Sequence, residues 1–253
     1  PFPQSQDWQP FGPFMFVLPR IDLSKKGSQY TLGYTLDLRH PKSLQDYIYL
    51  LQQDILNLYS VSDTTPMPLK SRHLTHSPSL SDWSSSIAHI QNLMAQSDLE
   101  KAVLARQSHL SFDSALSMSH ILDPLVSSPD PLYTFSFSPR KGVSFFGASP
   151  ELLFSRHHQR LTTEALAGTC PRGANASDDL SFSQHLIDSK KDLREHRFVK
   201  DMIISTLDPL CDSIQHHDHP SLLRLTHIHH LYHPIHAQLK PTISPQHLLN
   251  ILH

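Results

Sequence analysis

Between residues 177 and 211 the apolar side chains Leu180, Leu186, Leu193, Phe198, Met202, Ile203 and Leu207 mark a long helical stretch. No other feature narrows the possible folds so much, because a helix with an apolar stripe must bury it against another layer. Two shorter segments share this character. In 43–59 the residues Leu44, Tyr47, Ile48, Leu51, Ile55 and Leu58 recur at three and four, with Ser43 placed as N-cap, and in 81–97 Trp83, Ile87, Ile90 and Met94 face inward. A further helical piece is expected near 114–125.

Between the helices lie short β-rich patches. Phe14-Met15-Phe16-Val17-Leu18 and the run 30–36 are separated by a polar turn at 24–28, which predicts a hairpin or two successive strands. Residues 60–81 are rich in Ser, Thr, Pro and His and read as a long surface connection. Lys101-Ala102-Val103-Leu104-Ala105-Arg106 reads as a short strand with a cation at each end. Strands are also expected over 132–137 and 143–146, and a hairpin in which 151–156 and 161–167 flank the tip His157-His158-Gln159-Arg160. A sheet surrounded by helices, an α+β fold, accounts for this pattern, and residues 1–253 are expected to form a single domain with a strand and helix region over 1–80 and a motif-bearing region over 81–253.

A net charge of −2 lacks the basic excess that a phosphate backbone attracts, so nucleic acid is not an expected partner. No apolar run approaches the roughly 18 residues a bilayer span needs, and Pro1-Phe2-Pro3 lacks the pattern of a secretion signal. Cys170 and Cys211 are too few for a disulfide framework. A soluble, cytoplasmic protein without a membrane partner is the expectation.

Three segments carry candidate chemistry. The first is Glu100-Lys101-Ala102-Val103-Leu104-Ala105-Arg106. The second runs from Phe146-Gly147-Ala148-Ser149-Pro150-Glu151-Leu152-Leu153-Phe154 to Thr163-Glu164-Ala165-Leu166-Ala167-Gly168-Thr169-Cys170-Pro171-Arg172-Gly173. The third is Ser189-Lys190-Lys191-Asp192-Leu193-Arg194-Glu195-His196-Arg197-Phe198-Val199. Each has an ordinary local explanation. Lys101 reads as an end-of-strand charge reaching solvent, and Ser149-Pro150-Glu151 as a capped helix start with an acid favouring the dipole. Ala167-Gly168-Thr169 reads as a strand end whose amides and hydroxyl, with the charge of Arg172 nearby, could hold a carboxylate. Lys191 and Glu195, four apart, read as a solvated ion pair.

Taken in this order, the segments resemble the signature of the chorismate-utilising enzymes, and most closely their isochorismate synthase branch. Phe16-Val17-Leu18-Pro19-Arg20 and His230-Leu231-Tyr232 extend the resemblance over nearly the whole chain, and four ordered motifs are more specific than any one match. The resemblance implies a magnesium-dependent isomerase that converts chorismate to isochorismate, with antiparallel sheets in the core and helices outside. It implies that Lys101 deprotonates the attacking water and that Glu151 is the general acid. It assigns Ala167, Gly168, Thr169, His196 and His230 to substrate binding and Glu195 to the metal, with His196 either binding substrate or orienting Glu195. A base that must be neutral when it acts belongs inside the fold, and an acid near neutral pH needs a raised pKa.

Ala167 stands where aminodeoxychorismate synthases commonly carry lysine, which argues against that branch. Salicylate synthase shares the lysine and glutamate and is the alternative enzyme, anthranilate synthase component I is a weaker one, and a non-catalytic binding remnant is the alternative from another class. His233 stands where the family usually has a small hydroxyl residue. The runs 216–219 and 227–233 bring many of the 20 histidines together but lack the spacing of a transition-metal site. The chain does not open on methionine, and the resemblance implies that the family pattern continues past His253 with further strands, a second carboxylate and a glycine-rich loop. This chain alone is expected to be incomplete and without activity unless a second fragment completes it, and the completed protein is expected to be a monomer whose product feeds menaquinone, siderophore or salicylate synthesis.

Overall fold

A computed structural model describes residues 6–12, 15–37, 39, 42–59 and 71–252. The chain divides into two compact units, one formed by 1–68 with 138–144 and the other by 69–137 with 145–253.

In the first unit, strands β1 (Ile21–Lys26) and β2 (Gln29–Tyr34) pair antiparallel around Gly27, which takes a positive φ of 60° at the turn. The predicted hairpin is therefore present, but its first strand is the polar Ile21–Lys26 segment. Residues 15–19 form no strand, and Phe14 lies outside the described residues. Helix α1 (Leu44–Tyr59) begins where Ser43 predicts. The Ser43 hydroxyl accepts the Asp46 N–H at 3.1 Å and donates to its carboxylate at 2.7 Å.

The second unit carries the motifs. Strand β3 (Ser71–Ser77) pairs with β4 (Gln107–Phe112), and helix α2 (Leu80–Gln96) lies between them in sequence, capped by the Ser79 hydroxyl. The surface connection expected over 60–81 therefore contains a strand whose residues are all exposed. Residues 101–106 are irregular, because the register of β3 engages β4 only from Gln107 onward and leaves the apolar run without a ladder partner. Helix α3 (Met118–Val126) and the paired strands β5 (Tyr133–Arg140) and β6 (Val143–Ser149) follow, the hairpin tip 138–144 belonging to the first unit.

The largest sheet is built on two 12-residue strands, β8 (Arg160–Pro171) and β11 (Ile228–Leu239), which run antiparallel. β7 (Ser155–His157) borders β8, while β9 (Cys211–His216) and β10 (Ser221–Arg224) both pair with β11. Helices α4 (Ala176–Asp188), α5 (Lys190–Leu207) and α6 (Pro245–Leu252) complete the unit. The single helical stretch expected over 177–211 is two helices. Asn175 caps the first, and Ser189 caps the second by accepting the Asp192 N–H.

Burial alternates strictly along β11. His229, Leu231, His233, Ile235, Ala237 and Leu239 are buried, while the residues between them are half-buried or exposed. The buried face joins Leu161 and Ala165 of β8, Ile203 and Leu207 of α5 and Leu248 of α6 in one core. Leu207 is fully buried there. Leu207→Ala is expected to cost about 2–5 kcal/mol in urea unfolding, whereas Leu249→Ala, at a side chain 46% exposed, should leave the midpoint nearly unchanged.

Candidate functional site

The bulge in the β8–β11 ladder organises the site. Leu166 faces Tyr232 and Thr169 faces His230, so Ala167 and Gly168 together stand against Leu231 alone. Gly168 takes a φ of 87°, and a Cβ there would lie 3.0 Å from Leu231 Cδ1 and 3.3 Å from Asp192 Cβ. Glycine at this position thus answers both a backbone and a space requirement. The bulge turns the Ala167 carbonyl toward α5, where His196 Nδ1 meets it at 3.1 Å.

His196 is 2% exposed, and its Nε2 lies 3.4 Å from His233 Nδ1. His233 Nε2 in turn contacts the His217 carbonyl. The two rings therefore form a chain between the carbonyls of Ala167 and His217. Burial pushes the pKa of His196 down, against the pull of the Ala167 carbonyl, and His233 is lowered by the same cause. On the other face of the sheet Thr169 Oγ1 is 2.7 Å from His230 Nδ1. Burial lowers the His230 pKa, opposed by the Gly168 backbone.

Two hollows lie along successive lengths of α5. The first, about 1150 Å³, is an open groove between α2, residues 97–104 and the first half of α5. Lys101 and Glu195 both line it. The Lys101 ammonium donates to the Glu195 backbone carbonyl at 3.5 Å, and its side chain is half-buried, so it occupies the wall of the groove and not the interior of the fold. The Glu195 carboxylate, 43% exposed, stands 3.8 Å from Lys191 Nζ. Lys190 and Arg194 add positive charge to the same groove.

The second hollow, about 500 Å³, holds Glu151 and Glu164. Glu151 starts no helix. β6 ends at Ser149, whose hydroxyl accepts the Glu151 N–H at 3.1 Å, and 151–154 form a loop. Glu151 has its pKa raised, first by desolvation and then by the Glu164 carboxylate. Glu164 is 9% exposed, accepts the Leu152 N–H at 2.6 Å and is hydrogen-bonded by the Tyr232 side chain. Sequence reasoning passed over Glu164, although a carboxylate beside the apolar run Ala165-Leu166-Ala167 of a strand was a usable signal.

The structure thus gathers Lys101 with Glu195, Glu151 with Glu164, and Ala167, Gly168, Thr169, His196 and His230 around the bulge. Neither hollow contains both Lys101 and Glu151. Among the described residues no three His, Cys, Asp or Glu side chains group as a metal site.

Arg172 does not offer its charge to a ligand. Its Nε and Nη2 bind the two oxygens of Asp179 at 2.7 and 3.0 Å, and its Nη1 binds the Leu225 carbonyl at 2.8 Å. Asp179 Oδ1 also accepts the Gly173 N–H at 2.9 Å and meets His229 Nε2 at 3.0 Å. These partners hold the Asp179 carboxyl far below the usual carboxylate range, Arg172 first. A depressed folded-state pKa stabilises the fold above the ordinary value near 3.8 and loses that contribution as pH falls through the folded value. Asp179→Asn should therefore lower the thermal midpoint at pH 7 and weaken its further decline below pH 4. An unchanged midpoint at neutral pH would contradict the clamp.

Comparison with known proteins shows what the chain is similar to. A family model described as chorismate binding enzyme matches residues 2–253. Isochorismate synthase 2, chloroplastic, from Arabidopsis thaliana is 29% identical over 98% of this chain and 45% of its own length. Isochorismate synthase MenF from Bacillus subtilis is 31% identical over 68% of this chain and 36% of its own. The solved structure of MenF, the menaquinone-specific isochorismate synthase from Escherichia coli, superposes with a TM-score of 0.81 at 26% identity, covering 92% of this chain and 54% of that one. The chain spans about half the length of the relatives it matches. With the family model matched from residue 2 to residue 253, the chain belongs to the chorismate binding enzyme family.

Proposed function

We propose that this chain carries the isochorismate synthase reaction, in which water adds to one carbon of the chorismate ring as hydroxyl leaves another. Lys101 takes a proton from the attacking water and Glu151 gives one to the departing hydroxyl, so a water enters, a water leaves and the ring is isomerised. The observation that carries the reading is the place of Glu151 in a hollow walled by apolar side chains of α5 and shared with Glu164, a setting that shifts its pKa upward, the direction a general acid needs. Lys101 lines the neighbouring groove, where its amine meets a backbone carbonyl, so the reading requires the ring to reach both hollows along α5. The bulge at Gly168 and Thr169, with Ala167 and His230 beside it, supplies amide, hydroxyl and imidazole groups for the substrate. His196 contributes by holding the Ala167 carbonyl, since both of its ring nitrogens are already engaged.

Magnesium belongs to the same proposal through Glu195. A half-exposed carboxylate at a groove fits one ligand position of an ion that keeps several waters and meets substrate oxygens. When bound, the ion supplies positive charge against the two carboxylates of chorismate. The absence of a candidate membrane span among the described helices is compatible with a cytoplasmic enzyme, and the menaquinone-specific E. coli structure favours a quinone pathway for the product.

Incubation of the chain with chorismate and magnesium, followed by chromatography, tests the reading. Isochorismate is the expected product. Salicylate with pyruvate would replace the reading by salicylate synthesis, and absence of turnover would favour a non-catalytic binding role. Lys101→Ala and Glu151→Gln should each lower kcat by about 10²–10⁴, and stripping the metal with a chelator should abolish turnover reversibly. A rate retained by either variant would refute the role given to that residue.

A further inference from the structure

Glu164 has no part in the reaction as written, yet it is the most firmly held group near Glu151. It projects from β8, and its Oε1 accepts the N–H of Leu152, the residue that follows Glu151, at 2.6 Å. Tyr232, reaching across from β11, hydrogen-bonds the same carboxylate. The preceding residue, Thr163, donates its hydroxyl to the Leu153 carbonyl at 2.6 Å. Two consecutive β8 side chains therefore hold two consecutive residues of the loop that presents Glu151, Leu152 by its N–H and Leu153 by its carbonyl. A contact from a buried side chain on a paired strand to a backbone N–H sets the loop more narrowly than contact between two flexible side chains would.

The lining of this hollow adds an electrostatic consequence. Its ionisable groups are Glu151 from the loop and Glu164 from β8, with no cation among the described residues that line it. Helix α5 contributes Val199, Met202, Ile203 and Thr206 and helix α6 contributes Ile251, none of which ionises. Beyond the lining, Tyr232 of β11 engages Glu164 and is itself faced by Tyr133 of β5. Nothing in the wall offsets a second negative charge.

We propose that Glu164 is the positioning residue for Glu151: it pins the peptide that follows Glu151 and sets a fixed negative charge against that side chain. The inference rests on the reading of Glu151 as the general acid and adds the group that prepares it. The raised pKa of Glu151 agrees in direction, with the Glu164 charge second to desolvation among its causes. Glu164 transfers no proton.

The test uses the 253-residue chain labelled with ¹³C at the Glu carboxyl carbons and titrated by NMR, with Glu164→Gln and Glu164→Ala compared against the unchanged chain. Glu164→Gln keeps an oxygen for the Leu152 N–H but removes the charge. It should lower the Glu151 midpoint while leaving exchange of the Leu152 amide with solvent slow. Glu164→Ala removes both effects and should speed that exchange at least about tenfold, the signature of a lost hydrogen bond. An unmoved Glu151 midpoint in a folded Glu164→Gln chain would overturn the charge role, and unaltered Leu152 exchange in Glu164→Ala would overturn the pinning role. Both readouts are independent of turnover. A shifted midpoint together with full turnover by Glu151→Gln would therefore keep this inference and remove the general-acid reading.

Discussion

The β8–β11 pairing is the interaction on which the rest of the unit depends. Twelve residues of each strand run against each other, and the one irregularity in their register, between His230 and Tyr232, is where the candidate substrate turn sits. A continuous ladder would leave every backbone group of β8 engaged with its partner or edge-on to it. The two-against-one bulge frees the Ala167 carbonyl to meet α5, and glycine follows because the next residue must take a positive φ in a space closed by Leu231 and Asp192. The position of α5 over the sheet then sets where Glu195 stands relative to Lys101, and where Val199, Met202 and Ile203 wall the hollow of Glu151.

The two faces of this sheet have different tasks. The buried face of β11 carries Leu231, Ile235 and Leu239 for the core, together with His229 and His233. His233 is partnered through both ring nitrogens, whereas His229 is partnered through Nε2 and its Nδ1 is buried without a partner among the described residues. His229 meets Asp179, and His233 bridges His196 and the His217 carbonyl. Buried polar groups carry a desolvation cost that only such partners offset. The opposite face carries three cross-strand polar pairs, Thr169 with His230, Glu164 with Tyr232 and Thr162 with His236. Thr169, His230 and Glu164 lie on this polar side, whereas His196 meets His233 of the buried face and the hollow of Glu151 is also walled by Val199, Met202 and Ile203 of α5.

How much of this was legible in the sequence depended on whether the local signal survived the tertiary context. Helices α1 and α2 announced themselves because their apolar residues recur at helical spacing, with Ser43 marking the start of α1, whereas α4 and α5 read as one stretch because their break at Ser189 leaves no interruption in the apolar pattern. The hairpin of β7 and β8 was legible from its polar tip, although its first strand shrank to Ser155–His157 once Glu151 and its neighbours were drawn to Thr163 and Glu164. Strand β11 was hidden. Its alternation is strict, but histidines occupy both faces and Pro234 interrupts the run, so polarity does not track burial. Strand β3 was hidden for the opposite reason, being exposed at every position. Residues 101–106 had the composition of a strand without a partner to pair with, which sequence alone does not reveal. The site residues came from the ordered motifs and not from periodicity, and Glu164 lay inside one of them without a role, because its importance is a contact to a backbone N–H twelve positions earlier.

The fate of Arg172 shows why charge near a candidate site is a poor guide until its partners are known. In the sequence, a cation four residues beyond Gly168 suggests help for a substrate carboxylate. In the structure its fork is filled by Asp179, and Leu225 takes a further N–H. Asp179 gathers Gly173 and His229 as well, so one carboxylate ties the end of β8 to α4 and to β11. Gly173 is part of the same closure, since a Cβ there would fall 2.1 Å from the Asp179 backbone nitrogen. An arginine so engaged would have to break three of its own hydrogen bonds to bind a ligand, and would leave Asp179 short of donors when it did. Among the described residues, Lys101 and Lys190 line the groove beside Glu195, while Arg172 holds the strand on which the Gly168 bulge is built.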